Sequence, residues 1–357
     1  MYPRLVIDLE KLRQNGQALC RMAHAAGVDQ VAFVTKVFCA DGAMVKALLD
    51  TPCTYLADSR IENFRHYPET DRKKMLLRIP MPSQVEEVVR WADVSLNSEA
   101  VTLRALDAAA EKQGRRHGVV LMIDLGDLRE GMFFRNEPEI ISTAELAERL
   151  PSLDLLGVGF NVTCYGSVLP TETNIGVFLA IKEKIESRLG RPLSLISGGN
   201  SSSLYLLQQG RLPAGINNLR LGEALVLGRE TAYGQDLPEL HQDVITLEAE
   251  LVEVKRKPTY PVGELGLDAF GRRPKYEDRG VRLRAIAAIG RQDIELDGVI
   301  PITPGVSVVG ASSDHLILDV ADYEGLPRPG DVVSFRLTYS GVLRAFTSPY
   351  VERVYRG

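Results

Sequence analysis

The stretch VAFVTKVFCADGAMVKALLD, residues 31–50, decides the fold that the sequence predicts. It begins with an apolar, β-branched run, which is typical of a buried strand. Its second half spaces apolar residues three and four positions apart, as in an amphipathic helix. Lys36 lies between the two halves. The stretch therefore predicts one β/α unit with a lysine at the carboxyl end of its strand.

Seven similar units follow along the chain. Their strand-like runs cover residues 54–59, 74–80, 92–97, 119–126, 155–162, 193–199 and 217–224. Helical spacing of apolar residues lies between them, and TETN (171–174) offers an N-cap. Eight such units in order predict an α/β fold with an N-terminal (β/α)8, TIM-like barrel. An open doubly wound sheet is the alternative, but the first turn lacks a GxGxxG fingerprint.

The pattern changes at about residue 241. Strand-like segments at 244–255, 282–290, 305–320 and 330–340 alternate with turn residues, and no long helical pattern remains. We therefore expect the barrel in residues 1–240 and a separate C-terminal, mostly β domain in residues 241–357. Residues 255–280 predict a long irregular insertion in that domain, and insertions of this length are usually functional or mobile.

Composition and charge narrow the class of protein. The formal net charge of −5 and the absence of a basic stripe argue against a nucleic-acid partner. No apolar run is long enough for a membrane span, and the N-terminus lacks the pattern of a secretory signal. We therefore expect a cytoplasmic protein without a membrane partner.

Cysteine and histidine usage argues against a bound metal. Cys20, Cys39, Cys53 and Cys164 show no metal-binding spacing, and the five histidines form neither HxH nor HExxH. Cys39 and Cys164 lie near strand ends and could be nucleophiles, although buried or half-buried thiols are the simpler interpretation.

Three strand ends carry residues suited to chemistry. An apolar barrel mouth would lower the pKa of Lys36 and favour Schiff-base formation with an aldehyde, whereas the simpler alternative is a lysine that pairs with a carboxylate. SGGNSSS (197–203) and LRLGEAL (219–225) follow strands seven and eight, where barrels of this kind usually bind phosphate. A flexible turn is the alternative for SGGNSSS. Together these features indicate pyridoxal 5'-phosphate (PLP) as the cofactor.

The chain resembles the fold-type III PLP enzymes of the alanine racemase superfamily, most closely the alanine/ornithine racemase branch. The resemblance runs from about residue 3 to the end and depends on the order and spacing of its motifs. These motifs are VTKVFCADG, IDLGDLREGM, GGNSSSL, LRLGEAL, GLDAFG, EDRGVRLRAIAAIGRQD and TSPYVERVY. The resemblance implies PLP-dependent racemisation of a free amino acid by two-base transfer of the α-proton, with ornithine or another basic or small amino acid as substrate.

The resemblance also implies roles for three cationic residues. Lys36 would hold the cofactor as a Schiff base and act as one of the two acid/base groups. Arg129 would bind the substrate carboxylate, the alternative being a solvated loop charge. Arg220 would face the pyridine nitrogen, which a guanidinium cannot protonate, so the ring would be a weaker electron sink and racemisation would be favoured over transamination.

The remaining cofactor contacts follow from the same resemblance. Ser201, Gly222 and Glu223 would bind the phosphate, the last two through main-chain N–H groups. Tyr350 would reach the phosphate with its hydroxyl, or else be an ordinary aromatic of a β domain. Asn161 stands where the family often has a ring-stacking histidine, or else serves a turn.

Two departures from the family pattern affect the mechanism. The segment YPVGELGLDAFG (260–271) has no tyrosine at the position of the second base, which in alanine racemases comes from the partner subunit. Glu264, Asp268 and Tyr276 are the candidates, with Tyr339 a more distant fourth; a buried carboxylate could perform the transfer. The phosphate-binding tyrosine expected four residues after the lysine is also missing, because Ala40 stands there.

A homodimer with shared active sites is the expected assembly, because the second base would come from the β domain of a partner subunit. The acidic residues of 264–268 and Asp314 agree with a basic substrate such as ornithine. Three alternatives stay open: a decarboxylase of the same fold type, a non-catalytic PLP carrier and a sugar-phosphate barrel enzyme. The absence of cysteine after Cys164 disfavours the decarboxylase, and the appended β domain disfavours the carrier. A sugar-phosphate enzyme would leave Lys36 and Arg220 unexplained.

Overall fold

The computed structural model describes residues 1–273 and 275–357, so Pro274 in the predicted insertion lies outside the described residues. The chain divides into two compact units. One comprises Leu9–Gln242, and the other comprises Met1–Asp8 together with Asp243–Gly357. The first eight residues, which the sequence analysis counted with the barrel, thus belong to the β unit. They contain strand β1 (Arg4–Asp8).

The strands of the larger unit are parallel and short. They are β2 (Gln30–Val34), β3 (Tyr55–Asp58), β4 (Lys73–Leu76), β5 (Val94–Asn97), β6 (His117–Asp124), β7 (Met132–Phe133), β8 (Leu153–Phe160), β9 (Leu195–Ser197) and β10 (Asn218–Leu221). Within the described residues, all except β7 pair in sequence, and β10 closes against β2, which forms an eight-stranded barrel. β7 pairs with the end of β6. The predicted TIM-like barrel is confirmed.

Helices connect most of these strands. They are α1 (Leu9–Ala25), α2 (Gly42–Leu49), α3 (Val85–Trp91), α4 (Ala100–Lys112), α5 (Glu137–Arg149), α6 (Glu172–Leu189), α7 (Leu204–Gln208) and α8 (Glu223–Leu227). Short 3-10 helices cover Lys36–Phe38, Ile61–His66, Pro82–Gln84 and Ser201–Ser203. The predicted N-cap of α6 is confirmed: the Thr171 side chain accepts a hydrogen bond from the Asn174 N–H, and the Asn174 side chain accepts one from the Thr171 N–H.

The barrel interior is apolar at its centre. Ala32, Val34, Ala57, Met122 and other buried side chains pack there into one cluster. The strand register places Arg220 directly beside Ala32. Lys36 lies two residues beyond the end of β2 and is therefore at the carboxyl ends of the strands, where barrels of this kind place their sites.

The second unit is a mostly antiparallel sheet, as predicted. Its further strands are β11 (Ile245–Pro258), β12 (Val281–Ala287), β13 (Val299–Pro301), β14 (Ser307–Ala311), β15 (Leu316–Asp319), β16 (Val332–Leu337) and β17 (Glu352–Arg356). β1 pairs antiparallel with β11 and parallel with β17. A 3-10 turn covers Leu296–Gly298, and helix α9 covers Tyr339–Thr347.

Helix α9 was not expected, because residues 330–340 read as a continuous strand. The strand ends at Leu337, and the helix buries Val342, Ala345 and Phe346 at helical spacing. The predicted insertion is also shorter than expected, because β11 and β12 pair up to Pro258 and Val281. The irregular segment is therefore 259–280. None of the helices in the described part of the chain is both long and apolar enough to cross a lipid bilayer.

Candidate active site

Lys36 lies at the carboxyl end of the first barrel strand, in a tight turn. It begins a one-turn 3-10 helix whose end is closed by the Cys39 N–H, which donates to Lys36 O at 3.2 Å. Cys39 and Ala40 both have positive φ values, 51° and 53°. Such a conformation is uncommon for residues other than glycine and often occurs at functional sites. The Asp41 side chain then caps α2 by accepting from the Met44 N–H at 3.1 Å.

The surroundings of Lys36 disfavour its charged form. The side chain is half-buried, and this burial lowers the pKa of its ammonium. The positive charge of Arg129 lowers the pKa further, while negative charge on Asp58 and Glu130 opposes the change. A larger fraction of the Lys36 amine is therefore neutral near pH 7, which is what a nucleophile or a base requires.

Arg220 is buried inside the barrel, with 3% of its surface exposed. Its Nη2 donates to Phe160 O at 2.7 Å and to Asn161 Oδ1 at 2.6 Å, and its Nη1 donates to Ser197 Oγ. Gly159 lies close to this site, because a Cβ atom there would be 3.0 Å from Ser197 Cβ and 3.5 Å from Arg220 Nη1. Burial lowers the pKa of Arg220 to about 10, so the group is still protonated at neutral pH.

Arg129 and Asn161 are joined by a carboxylate that the sequence analysis did not single out. Glu130 accepts from Nε and Nη2 of Arg129 and from Nδ2 of Asn161. Partial burial opposes the charge of Arg129, but the hydrogen bonds with Glu130 leave its pKa raised. The Arg129 side chain is 39% exposed, so it can still meet a ligand. The structure thus connects Arg129, Asn161 and Arg220 in one network.

The loop that carries Arg129 is shaped by two buried aspartates. Asp124 Oδ1 accepts from the N–H groups of Gly126 at 2.8 Å and Leu128 at 3.1 Å. Asp127 accepts from main-chain N–H groups of the loop after β8, including Tyr165 at 2.9 Å and Val168 at 3.0 Å. Asp124 thus shapes its own loop, and Asp127 fixes this loop against the loop after β8, both by side-chain to main-chain hydrogen bonds.

The predicted phosphate-binding segments lie side by side. Ser201 Oγ accepts from the Ala224 N–H at 3.2 Å, which joins the loop after β9 to Gly222 and Glu223. Burial raises the pKa of Glu223. A Cβ atom at Gly222 would lie 3.0 Å from Val34 Cβ, so a larger residue at this position would be tightly packed against the first barrel strand.

One buried polar atom in this region lacks a partner. Among the described residues, Ser202 Oγ is fully buried and finds no hydrogen-bond partner. A buried hydroxyl of this kind is costly unless a ligand or water satisfies it. The small residues, the hydroxyl groups and the unpaired Ser202 Oγ fit a phosphate group, so the donor set fits the cofactor that the sequence indicates.

The candidates for the second base lie in the other unit, on segment 259–280. The Asp268 carboxylate accepts from the N–H groups of Phe270 at 2.9 Å and Arg272 at 2.8 Å, so it shapes its own loop. Tyr276 is exposed and packs edge-on against Tyr260, with ring centroids 6.3 Å apart. Glu264 is exposed, and within residues 1–273 and 275–357 its carboxylate has no hydrogen bond or ion pair.

Two further predicted residues also belong to the β unit. Asp314 is exposed in the turn between β14 and β15 and accepts from Ser313 Oγ at 3.1 Å. Tyr350 is 63% exposed, and its N–H donates to Ser348 Oγ at 3.1 Å. Their roles in substrate and phosphate binding stay predictions.

A second buried network, which was not predicted from the sequence, supports the turn at Lys36. Thr35 Oγ1 donates to Asp58 Oδ2 at 2.6 Å and lies 2.7 Å from the Tyr67 hydroxyl. Asp58 also accepts from Asn63 Nδ2 and from the Arg60 N–H, both at 2.9 Å. Burial raises the pKa of Asp58. The only signal in sequence was an aspartate at the end of the second strand.

Comparison with known proteins adds three findings. The family model described as alanine racemase, N-terminal domain, matches residues 7–230. The chain is 44% identical over 353 residues to an ornithine racemase from Acetoanaerobium sticklandii, covering 99% of each chain. It is 41% identical over 357 residues to a lysine racemase from Thermotoga maritima, again covering 99% of each.

A solved structure has a similar fold. The alanine racemase from Bartonella henselae, whose structure contains covalently bound pyridoxal phosphate, matches with a TM-score of 0.74. The identity is 17%, and the match covers 99% of both chains. At this identity the likeness shows a common fold, and nothing about function follows from it.

Proposed function

The chain belongs to the alanine racemase family, and from this premise we propose that it interconverts the L and D forms of a free basic amino acid, ornithine or lysine. It is an amino-acid racemase that depends on pyridoxal phosphate. The observation that carries the substrate class is the similarity along nearly the whole chain to an ornithine racemase and to a lysine racemase.

Seven residues are proposed to hold the cofactor: Lys36, Asn161, Ser201, Arg220, Gly222, Glu223 and Tyr350. Lys36 would bind it covalently, and Ser201 with the main chain of Gly222 and Glu223 would bind its phosphate. When bound, pyridoxal phosphate withdraws electrons from the α-carbon of an attached amino acid and so makes the α-proton acidic.

Lys36 is proposed to exchange the α-proton on one face of the substrate. Its half-burial and the nearby charge of Arg129 lower its pKa, so the neutral amine is available to accept a proton near pH 7. Arg129, with one edge paired to Glu130 and 39% of its side chain exposed, can offer its other N–H groups to the substrate carboxylate.

Arg220 is proposed to face the ring nitrogen of the cofactor and to leave it unprotonated. A guanidinium has donors but no acceptor, and a pKa of about 10 keeps it charged at neutral pH. Its hydrogen bonds to Phe160, Asn161 and Ser197 hold it in place. A fixed donor that does not release its proton favours return of the α-proton over other reactions.

For the second face we propose Glu264 of a partner subunit as the proton-transfer group, ahead of Asp268 and Tyr276. Asp268 is engaged by its own loop, whereas the exposed Glu264 carboxylate has no partner among the described residues. The exposed side chains of Leu128 and Tyr165, on the loops that follow strands β6 and β8, support a homodimer that covers them.

The test of the function is exchange and inversion in deuterated water. The PLP-loaded protein is incubated with L-ornithine, L-lysine, L-alanine or L-glutamate, and α-proton loss is followed by NMR and the D product by chiral chromatography. We expect exchange with inversion for ornithine and lysine, and a rate at least about tenfold lower for alanine. Exchange without any D product, or release of carbon dioxide, would contradict the proposal.

The covalent role of Lys36 has a separate test. Borohydride reduction should fix the cofactor to the peptide that contains Lys36, and Lys36→Ala should abolish the label on that peptide. Labelling at another lysine in wild type would refute the assignment.

The shared site is tested by mixing two inactive variants. Lys36→Ala and Glu264→Gln are each expected to lose racemisation, and heterodimers would contain one site with neither substitution. Random exchange of subunits should therefore restore up to ~25% of wild-type activity. Asp268→Asn and Tyr276→Phe are the matched comparison and should retain exchange in both directions. No restored activity on mixing, with subunit exchange demonstrated, would place both groups in one subunit.

We also propose that the protein acts in the cytoplasm, where thiols stay reduced. The cysteines of the described chain, Cys20, Cys39, Cys53 and Cys164, are all free. Cell fractionation with an antibody against the native protein tests this directly, and recovery outside the cytoplasm would contradict it.

A further inference from the structure

Glu130 lies at the centre of a chain of hydrogen bonds that joins the two arginines of the site. Its two carboxylate oxygens accept from Nε and Nη2 of Arg129, and Oε1 also accepts from Asn161 Nδ2. On the far side of the Asn161 amide, Oδ1 accepts from Arg220 Nη2 at 2.6 Å. Arg129 and Arg220 are therefore connected through only two side chains.

The other nearby carboxylates are engaged elsewhere. Asp124 and Asp127 accept hydrogen bonds from main-chain N–H groups of their loops. Asp58 is held by Thr35 and Asn63. Glu130 differs from them because its described partners are side chains of the site itself, and its own side chain is only 18% exposed.

We infer that Glu130 is a positioning residue, which orients Arg129 for the substrate carboxylate and, through Asn161, fixes the acceptor that holds Arg220. The inference rests on the proposed function of the two arginines. Glu130 is not a catalytic group, because its carboxylate is occupied by Arg129 and Asn161.

The geometry explains how one carboxylate can perform both tasks. Pairing with Nε and Nη2 fixes the plane of the Arg129 guanidinium and leaves the two N–H groups of Nη1 for an incoming carboxylate. Because Asn161 donates to Glu130 through Nδ2, its Oδ1 must point toward Arg220. A reversed amide would place two donors against each other.

Glu130 also supplies negative charge among three cations. Its charge raises the pKa values of Lys36, Arg129 and Arg220, against the effect of burial. Removing the charge while keeping the shape, as in Glu130→Gln, therefore leaves Arg129 uncompensated and its orientation loose. The uncompensated charge strengthens the attraction of Arg129 for any carboxylate. The loose orientation of Arg129 slows the reaction.

The experiment compares wild type with Glu130→Gln and Glu130→Asp. The control is Glu172→Gln, which removes the exposed ion pair between Glu172 and Arg211. Acetate is the carboxylate probe, measured as a competitive inhibitor. For Glu130→Gln we expect the inhibition constant of acetate to fall about threefold. We expect kcat to fall about 100-fold, the effect of a misplaced positioning group, without a rise in KM.

A second readout does not depend on activity. The rate at which the apoprotein takes up pyridoxal phosphate, followed by absorbance, increases with the neutral fraction of Lys36. Loss of the Glu130 charge should move this pH profile to lower pH, while Glu130→Asp, which keeps the charge, should stay close to wild type.

The outcomes separate this inference from the proposed function. Unchanged kcat and acetate inhibition in Glu130→Gln would overturn it. Weaker acetate binding together with a lower melting temperature would also overturn it, because this would assign Glu130 to stability alone. If wild type racemised no amino acid, the proposed function would fail, while the pH profile of cofactor uptake would still test the charge of Glu130 at Lys36.

Discussion

Arg220 donates a hydrogen bond from Nη2 to Asn161 Oδ1 over 2.6 Å, from inside the barrel to the residue that follows β8. The same nitrogen donates to Phe160 O at 2.7 Å. The end of this strand thus supplies two acceptors for a charge that the barrel has removed from water. A buried guanidinium that loses an acceptor has no water to replace it.

Asn161→Ala is therefore expected to destabilise the apoprotein by ~1.5–3 kcal/mol, the usual cost of losing a hydrogen bond to a buried charge. Urea denaturation followed by fluorescence measures the change. The control is Asn136→Ala, because Asn136 is exposed and its amide donates to Glu139 Oε2. A change at Asn161 no larger than at Asn136 would show that Arg220 does not depend on the amide.

Gly157 is required by the close approach of two barrel strands. A Cβ atom there would lie 1.7 Å from Leu195 O on the neighbouring strand, which no side-chain movement can relieve. Gly157→Ala should therefore give insoluble protein or destabilise it by at least ~3 kcal/mol, beyond the usual range of overpacking.

The matched control for this prediction is Gly176→Ala in α6. A Cβ atom at Gly176 would meet nothing within 4 Å, and the position is exposed. This substitution should stabilise the protein by ~0.5–1 kcal/mol, because alanine favours a helix over glycine. Soluble, stable Gly157→Ala protein would show that the two strands can separate.

The barrel could be predicted from sequence because its signal is local and repeated. Each strand and helix has its own period, so the run at 31–36 and its seven successors identify the fold without any long-range information. The β unit was harder. β1 pairs Arg4 with Glu352, and no periodicity in either segment predicts a pairing over that distance.

The candidate site shows the same limit. Lys36 and Arg220 could be found because Lys36 follows its strand and Arg220 lies near the carboxyl end of its own, where barrel chemistry is expected. Glu130 could not be found in this way, although it directly follows Arg129. Its importance comes from Asn161, which lies on another loop and reaches it only in the folded chain. Helix α9 was missed because its short apolar pattern follows a strand without a break.

His117 makes stability depend on pH. It is buried, its Nε2 lies 2.8 Å from Ser95 Oγ, and burial lowers its pKa from 6.5 to about 4. The unfolded chain takes up this proton near pH 6.5 and the folded chain only near pH 4. Its contribution to stability is thus fully present above pH 6.5 and is lost as the pH falls toward 4.

At ~1.4 kcal/mol for each pH unit between the two values, this loss amounts to ~3 kcal/mol. His117→Gln should therefore lose less stability than wild type between pH 7 and pH 4.5, as measured by urea denaturation at each pH. The exposed His24→Gln is the control. Equal loss in wild type and His117→Gln would show that other groups cause the acid sensitivity.

Lys36 lowers the stability of the folded chain at neutral pH, whereas the buried neutral His117 raises it. Burial lowers its pKa from the ordinary 10.5, so the unfolded chain keeps this proton to a higher pH than the folded chain does. The charged ammonium therefore costs stability at neutral pH, and this cost disappears as the pH rises through 10.5.

Lys36→Met should make the apoprotein more stable at pH 7, by an amount that shrinks as the pH is raised, and should lower kcat at least ~1000-fold. Urea denaturation from pH 7 to pH 10 checks this, with Lys46→Met as the control for an exposed lysine on α2. If Lys36→Met gave no gain, or a gain that did not change with pH, the folded chain would not hold the ammonium in an unfavourable environment, and burial would not make Lys36 a neutral base.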